Sequence, residues 1–323
     1  MPSKHSFFAA AACALPLSLA ACGGSSDSND TPPVPEGQHY GYVVSGVSLP
    51  ITNKQKTDFA LDLGAAKSSK QDGVPDNKLG GLFQFIAGAV DIQGAITAAV
   101  NAGSIILLVD FQTKDLANSS AAGFGVKIGS MPNPPACSNT ADPTTCGHHL
   151  DGHGSFQIDT SASADGVVAG KIVSNAFSGG PGDVTVQLAL AGTAPITLNL
   201  LRARVTATIS PTGIMNANIG GLVLPAELTA QLGPILEAQV APLLAQNCTG
   251  TGADCGCTGA AGLLIAADTN HDCKLTAQEI FTYQFIAQQI APDVCTTGSC
   301  TTPDGLSVGV QVQAVKAMFP GVM

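Results

Sequence analysis

The chain has 323 residues, with 13 basic against 23 acidic side chains and a formal net charge of −10. Charged residues make up only 11% of it, and tryptophan is absent. Without a basic patch to neutralise phosphates, this composition argues against a nucleic-acid partner, while the length is ample for a large buried core.

The N-terminus reads as an export signal. "MPSKHSFFAAAACALPLSLAAC" places Lys4 before an apolar run from Phe7 to Ala21, too short for a membrane span. The junction "LAAC", Leu19 to Cys22, resembles a bacterial lipobox. That resemblance implies a signal peptide over 1–21, cleavage before Cys22 and acylation of Cys22. Gly23 follows the cysteine, which for such lipoproteins implies the outer membrane or cell surface. Residues 22–38 then form the lipidated cysteine and a Gly/Ser/Pro-rich flexible tether. The chain is thus expected to meet a membrane through its lipid anchor, held by several acyl chains.

The β-rich domain is expected over 39–323. "YGYVVSGVSL" and "TDFALDLG" alternate apolar and polar residues as half-buried strands do. "FQFIAGAVDIQGAITAAVNAG" switches to helical spacing, with Phe83, Ile86, Val90, Ile92 and Ile96 near one stripe and Gly103 closing it. Strands follow at "SIILLVDFQT", "GFGVKIG", "GSFQIDT", "GVVAGKIV", "DVTVQLALAG" and "APITLNLLRARVTATIS", separated by turns such as "SADG", "SGGPGD" and "SPTG". "PAELTAQLGPILEAQVAPLLAQN" is an amphipathic helix in which Pro234 and Pro242 should kink or split the run. Residues 247–302 read as a disulfide-rich helix-loop-helix insertion, after which "LSVGVQVQAVKAMF" returns to the sheet. The expected fold is α+β, mainly β: an antiparallel sheet or sandwich with packed amphipathic helices.

Cysteine usage fits an oxidising compartment. Of ten cysteines, Cys13 leaves with the signal and Cys22 takes lipid, which leaves eight. Cys137 with Cys146, and Cys295 with Cys300, form short-loop disulfides. Sequence alone allows three pairings of Cys248, Cys255, Cys257 and Cys273; because Cys255 and Cys257 are too close to pair comfortably, Cys248 is expected to pair with one of them and Cys273 with the other.

The most specific motif is "DTNHDCKLTAQE", Asp268 to Glu279. It has the ligand spacing of an EF-hand calcium loop. Asp268, Asn270 and Asp272 stand at positions 1, 3 and 5, the Lys274 carbonyl at 7, Thr276 at 9, and Glu279, able to chelate with both oxygens, at 12. Leu275 at position 8 is the apolar anchor, and "GLLIAA" and "EIFTYQFIAQQI" supply the flanking helices, with Ile280 and Phe285 as core contacts. Thr276 and Glu279 also read as a capping box. Cys273 replaces the usual glycine at position 6, where the turn wants positive φ, and its disulfide is expected to hold that turn. The cofactor expected is Ca2+, bound weakly and structurally.

Other signals are weaker. In "QDGVPDNKLGG", Asp72, Asp76 and Asn77 are expected to start the next helix rather than bind a cation. In "CGHHLDGHGSF", His149, Asp151 and His153 alternate, but Gly152 and Gly154 favour a turn over a metal site. There is no G-x-S-x-G and no H-E-x-x-H.

The pieces "LAAC", "DGVPDNKLG", "IGGLVLPAEL", "DTNHDCKLTAQEI", "APDV" and "DGLSVGVQVQAVKAMF" occur in an order that resembles a group of predicted lipoproteins of myxobacteria and related Gram-negative bacteria. The resemblance implies an EF-hand-like lipoprotein without an assigned activity. The expected function is a non-enzymatic binding or structural role in the cell envelope, its protein partner or hydrophobic ligand left open. The alternative is a hydrophobic-ligand carrier with a cavity between sheet and helices, and a hydrolase ranks below both.

Overall fold

The computed structural model of the chain describes residues 33–88, 91–161, 166–188, 195–250 and 255–322. The expected signal peptide, Cys22 and most of the tether lie outside the described residues.

The sheet begins with β1 (Gln38–Ser48), whose Tyr42 and Val44 join the main core while Val43 joins a separate outer cluster. Its partner β2 (Leu107–Thr113) carries Leu107, Val109 and Phe111 into the main core. Next come β3 (Ser119–Asn133), β4 (Ser155–Ile158), β5 (Val167–Val173), β6 (Ala176–Leu188), β7 (Ile196–Ser210) and β8 (Gly213–Val223). Two residue pairs, Cys248–Thr249 (β9) and Gly256–Cys257 (β10), make a separate ribbon. The final strand is β11 (Leu306–Lys316).

The main sheet runs β2-β1-β11-β8-β7-β6-β5-β3, and β3 pairs back onto β2 from Gly123↔Gln112 to Ile128↔Leu107. That last pairing closes an eight-stranded antiparallel barrel, with β4 appended to the far end of β3. The architecture is therefore mainly β, as expected, but a barrel replaces the expected sheet or sandwich. Closure needs tight curvature, which glycine permits. At Gly170 a Cβ would stand 2.3 Å from the Ser178 carbonyl oxygen of the neighbouring strand.

The barrel interior is filled. Phe111, Phe124 and Phe177 meet near the start of β1, with centroids 5.2 Å apart for Phe111–Phe177 and 6.1 Å for Phe124–Phe177. Beyond them Val44, Val109, Val126, Leu198 and Val310 leave only about 30 Å³. The opposite face is polar: Thr206, Thr208, Asn216 and Asn218 alternate with buried Val205, Ala207, Ala217 and Ile219. A second apolar cluster lies outside β1 and β2, where Phe156 of β4 and Phe319 cover Val43 and Leu108.

The helices come from two connections. After β1 run α1 (Asn53–Asp58), α2 (Gly80–Ala87) and α3 (Ile92–Asn101). After β8 run α4 (Pro225–Asn247), α5 (Gly259–Leu264), α6 (Ala277–Thr282) and α7 (Gln284–Gln289). β1 and β8 both end at the same mouth of the barrel, so both helical groups form its cap. Their buried residues join the barrel interior in one core, where each fully buried aliphatic side chain contributes about 1.5–3 kcal/mol.

Several expected elements differ. "TDFALDLG" is no strand: Thr52 caps α1 through the Gln55 N–H, and only Leu61 bridges, to Asp76. The single expected helix over 83–103 is two, α2 and α3, with Asp91 capping the second; Val90 lies outside the described residues. "SGGPGD" falls inside β6 at a bulge, and the turn sits instead at Ser174–Asn175, both at positive φ. β8 is a strand that the glycines of "GIMNANIGGLV" concealed. α4 continues through Pro234 and Pro242, both of which face solvent, where water can serve the carbonyls their rings leave unbonded. Among the described residues no helix is long and apolar enough to cross a membrane.

Candidate functional site

The helical cap encloses a cavity of about 320 Å³, within the range of small-molecule sites. Its walls are helical segments and the loop that precedes α6. α2 contributes Leu82, Phe85 and Ile86, and α4 contributes Ile235, Leu236, Val240 and Leu243. Leu275 precedes α6, while Ile280 and Ile286 come from α6 and α7. No strand residue lines it, so the space lies among helices and not between sheet and helices. Only Gln239, Gln246 and Tyr283 bring polar side-chain atoms to its wall. The sequence periodicity of α4 is the source of one wall: Leu228, Leu232 and Leu236 face the core, while Ile235, Val240 and Leu243 stay half-buried beside the cavity.

The acidic loop forms part of the same cap. Asp268 is 4% exposed and Glu279 7%. The Asp268 carboxylate accepts the Asp272 N–H (3.2 Å) and the Cys273 N–H (2.8 Å), and Asp272 accepts the Lys274 N–H (2.9 Å). The Asn270 side-chain oxygen accepts the Asp272 N–H at 3.0 Å. Glu279 accepts the N–H and hydroxyl of Thr269 on one oxygen and those of Thr276 on the other. The capping box is present, and Thr276 starts α6. Burial alone would push the Glu279 carboxyl up, but these hydrogen bonds outweigh it and hold the group below its usual range. His271 and Cys273 have φ of 56° and 64°, so the backbone turns at position 6 as a glycine would.

The loop thus offers oxygen donors of the right type for a hard cation at Asp268, Asn270, Asp272, Thr276 and Glu279, with the Lys274 carbonyl as a sixth. Its carboxylates are turned onto their own backbone rather than gathered. Among the described residues, the only three metal-capable side chains within 4.8 Å of one another are Cys248, Cys255 and Cys257. Those sulfurs are taken up in disulfides, which leaves no thiolate for a metal there.

Among the described residues four disulfides are present: Cys137–Cys146, Cys248–Cys257, Cys255–Cys273 and Cys295–Cys300. The two open pairings resolve with Cys248 to Cys257 and Cys273 to Cys255. Together these two bonds tie the end of α4 to the acidic loop, one wall of the cavity to the other.

The flanking helices are shorter than expected. The segment before the loop is α5 plus one 3-10 turn over Ile265–Ala267, and the segment after it breaks at Tyr283. Ile280 is buried, but Phe285 is 48% exposed, its ring 5.2 Å from Phe85. The break turns α7 so that Ile286, not Phe285, faces inward.

The weaker motifs are structural. The Asp76 carboxylate accepts the Leu63 N–H, and its pKa is pushed up to about 6, first by burial and then by Asp293, Asp72 and Asp62. Asp62 accepts the N–H groups of Asp72 and Gly73. Asn77 is buried and bonds Lys56 and Gly309. His149 is 1% exposed, whereas Asp151 and His153 are exposed and joined by a turn, so the three do not converge.

No family model, no curated protein and no solved structure matches this chain.

Proposed function

We propose that this chain is an exported, lipid-anchored protein of the cell envelope that holds an apolar small molecule in the helical cap of its barrel, without chemical turnover. The cavity of about 320 Å³ carries this reading. Among the described residues its wall contains no acid, histidine, serine, cysteine or lysine. A hydrolase would need an activated nucleophile and base at such a site. The export signal, "LAAC" junction and four disulfides support placement outside the cytosol.

The acidic loop is the structural partner of the cavity. A bound Ca2+ would supply the positive charge that gathers its buried carboxylates. Asp268, Asn270, Asp272, Glu279, Thr276 and the Lys274 carbonyl would hold it. Leu275 and Ala267, on the same loop, line the cavity. The loop therefore shapes that wall, with or without an ion.

Titration of the mature chain with the apolar fluorophore N-phenylnaphthylamine tests the binding role. Saturable binding is expected, and it should be lost in Leu243→Trp, which fills the cavity from a half-buried position. Absence of saturable binding by the wild type overturns the carrier reading. Mass spectrometry of the mature N-terminus tests the anchor, because an unmodified Cys22 rules it out.

A further inference from the structure

We infer that the cavity selects an uncharged single-chain amphiphile, such as a long-chain alcohol, over the carboxylate anion of the same chain length. This rests on the reading of the cavity as a ligand site and names what that site takes.

An apolar tail is met by side chains such as Leu82, Ile92, Leu236 and Ile286. The polar end must then sit near Gln246 or Tyr283, which offer neutral donors and acceptors suited to a hydroxyl. An anion finds no compensating charge. Among the described residues no lysine, arginine or histidine lines the wall. Lys274 beside Leu275 is exposed, and the Lys56 ammonium lies near Gly81, which is not among the lining residues. The acids adjacent in sequence to lining residues are Asp91, Glu237, Asp268 and Glu279, and each adds negative potential.

At three helix starts beside the cavity the backbone N–H groups are already engaged. At the start of α3 the Asp91 carboxylate already accepts the Gly94 N–H, and at α6 Glu279 accepts that of Thr276. At α2 the Gly81 and Leu82 N–H groups bond the Lys78 and Leu79 carbonyls. A carboxylate entering this cavity would lose its water without gaining a partner, which burial of a charge does not tolerate.

Displacement of bound N-phenylnaphthylamine by dodecanol and by dodecanoate tests this. At neutral pH dodecanol should compete at least about tenfold more strongly. The gap should narrow in mildly acidic buffer as the acid becomes neutral, while dodecanol stays unchanged. Gln246→Lys places an ammonium at an exposed rim position, and it should raise dodecanoate affinity relative to that of dodecanol, narrowing the gap at neutral pH. If the fluorophore does not bind, the carrier reading itself fails. If it binds but dodecanoate competes as well as dodecanol, or neither competes, the selectivity inference is overturned while the carrier reading stands.

Discussion

Replacing Glu279 by glutamine removes one buried negative charge and keeps the side chain's length. In the native loop Glu279 accepts hydrogen bonds from the N–H and hydroxyl of both Thr269 and Thr276. An amide retains one acceptor oxygen and turns an NH2 toward the other pair of donors. Two charge-assisted bonds are lost, a cost of about 2–4 kcal/mol. Urea denaturation in a calcium chelator measures this directly. The pH dependence follows from the lowered carboxyl. A carboxyl held below its unfolded value of about 4.3 adds stability above that pH, and this stability is lost as pH falls through the folded pKa. Glu279→Gln should lack that acid-side loss. Calcium provides the second arm. At about ten times its dissociation constant, one bound ion stabilises by about 1.4 kcal/mol, or about 3–5 °C in Tm. Wild type should show this gain and Glu279→Gln should not. An unchanged denaturation midpoint in chelator refutes the hydrogen-bond account. A gain that survives in the variant refutes the ligand assignment, and no gain in wild type refutes the ion.

Three further outcomes are expected. The double variant Cys255→Ser, Cys273→Ser opens a loop of 18 residues and should cost about 3 kcal/mol by chain entropy, read by denaturation in chelator. Burial pushes the His149 imidazole pKa down, and the nearby Val100 carbonyl, outside hydrogen-bonding geometry, offsets only part of this. Stability should therefore fall as pH drops below about 6.5, where the unfolded chain takes up the proton first, and His149→Leu should flatten that fall. Asp76 has the opposite sign. Because its folded pKa lies near 6, stability is lost as pH rises from about 4 to that value, and Asp76→Asn should raise Tm at neutral pH. A lower Tm in Asp76→Asn would show that the bond to the Leu63 N–H needs the charge.

Much of the barrel was legible as strands. The alternation in "YGYVVSGVSL" and "LSVGVQVQAVKAMF" places Val44 and Val310 inward because side chains alternate along a strand. Closure was not legible, because it depends on a single extra pairing between β2 and β3 that local periodicity does not encode. "TDFALDLG" carries the same alternation as a strand, yet Thr52 caps a helix that runs into it. The acidic loop was visible because its donors fall within twelve consecutive residues. The cavity was expected between sheet and helices, and its place among the helices was not legible because its wall is assembled from segments near 82–92, 235–246 and 264–286. Phe285 misled through residue type alone: the break at Tyr283 decides which ring faces the core.

The most direct measurement of a ligand site in the helical cap is an NMR experiment on methyl-labelled protein with bound dodecanol. NOEs are expected from the alkyl chain to the methyl groups of Leu236, Leu243 and Ile286. NOEs to Val109, Val126 and Leu198 inside the barrel, or none to any buried methyl group, would contradict it.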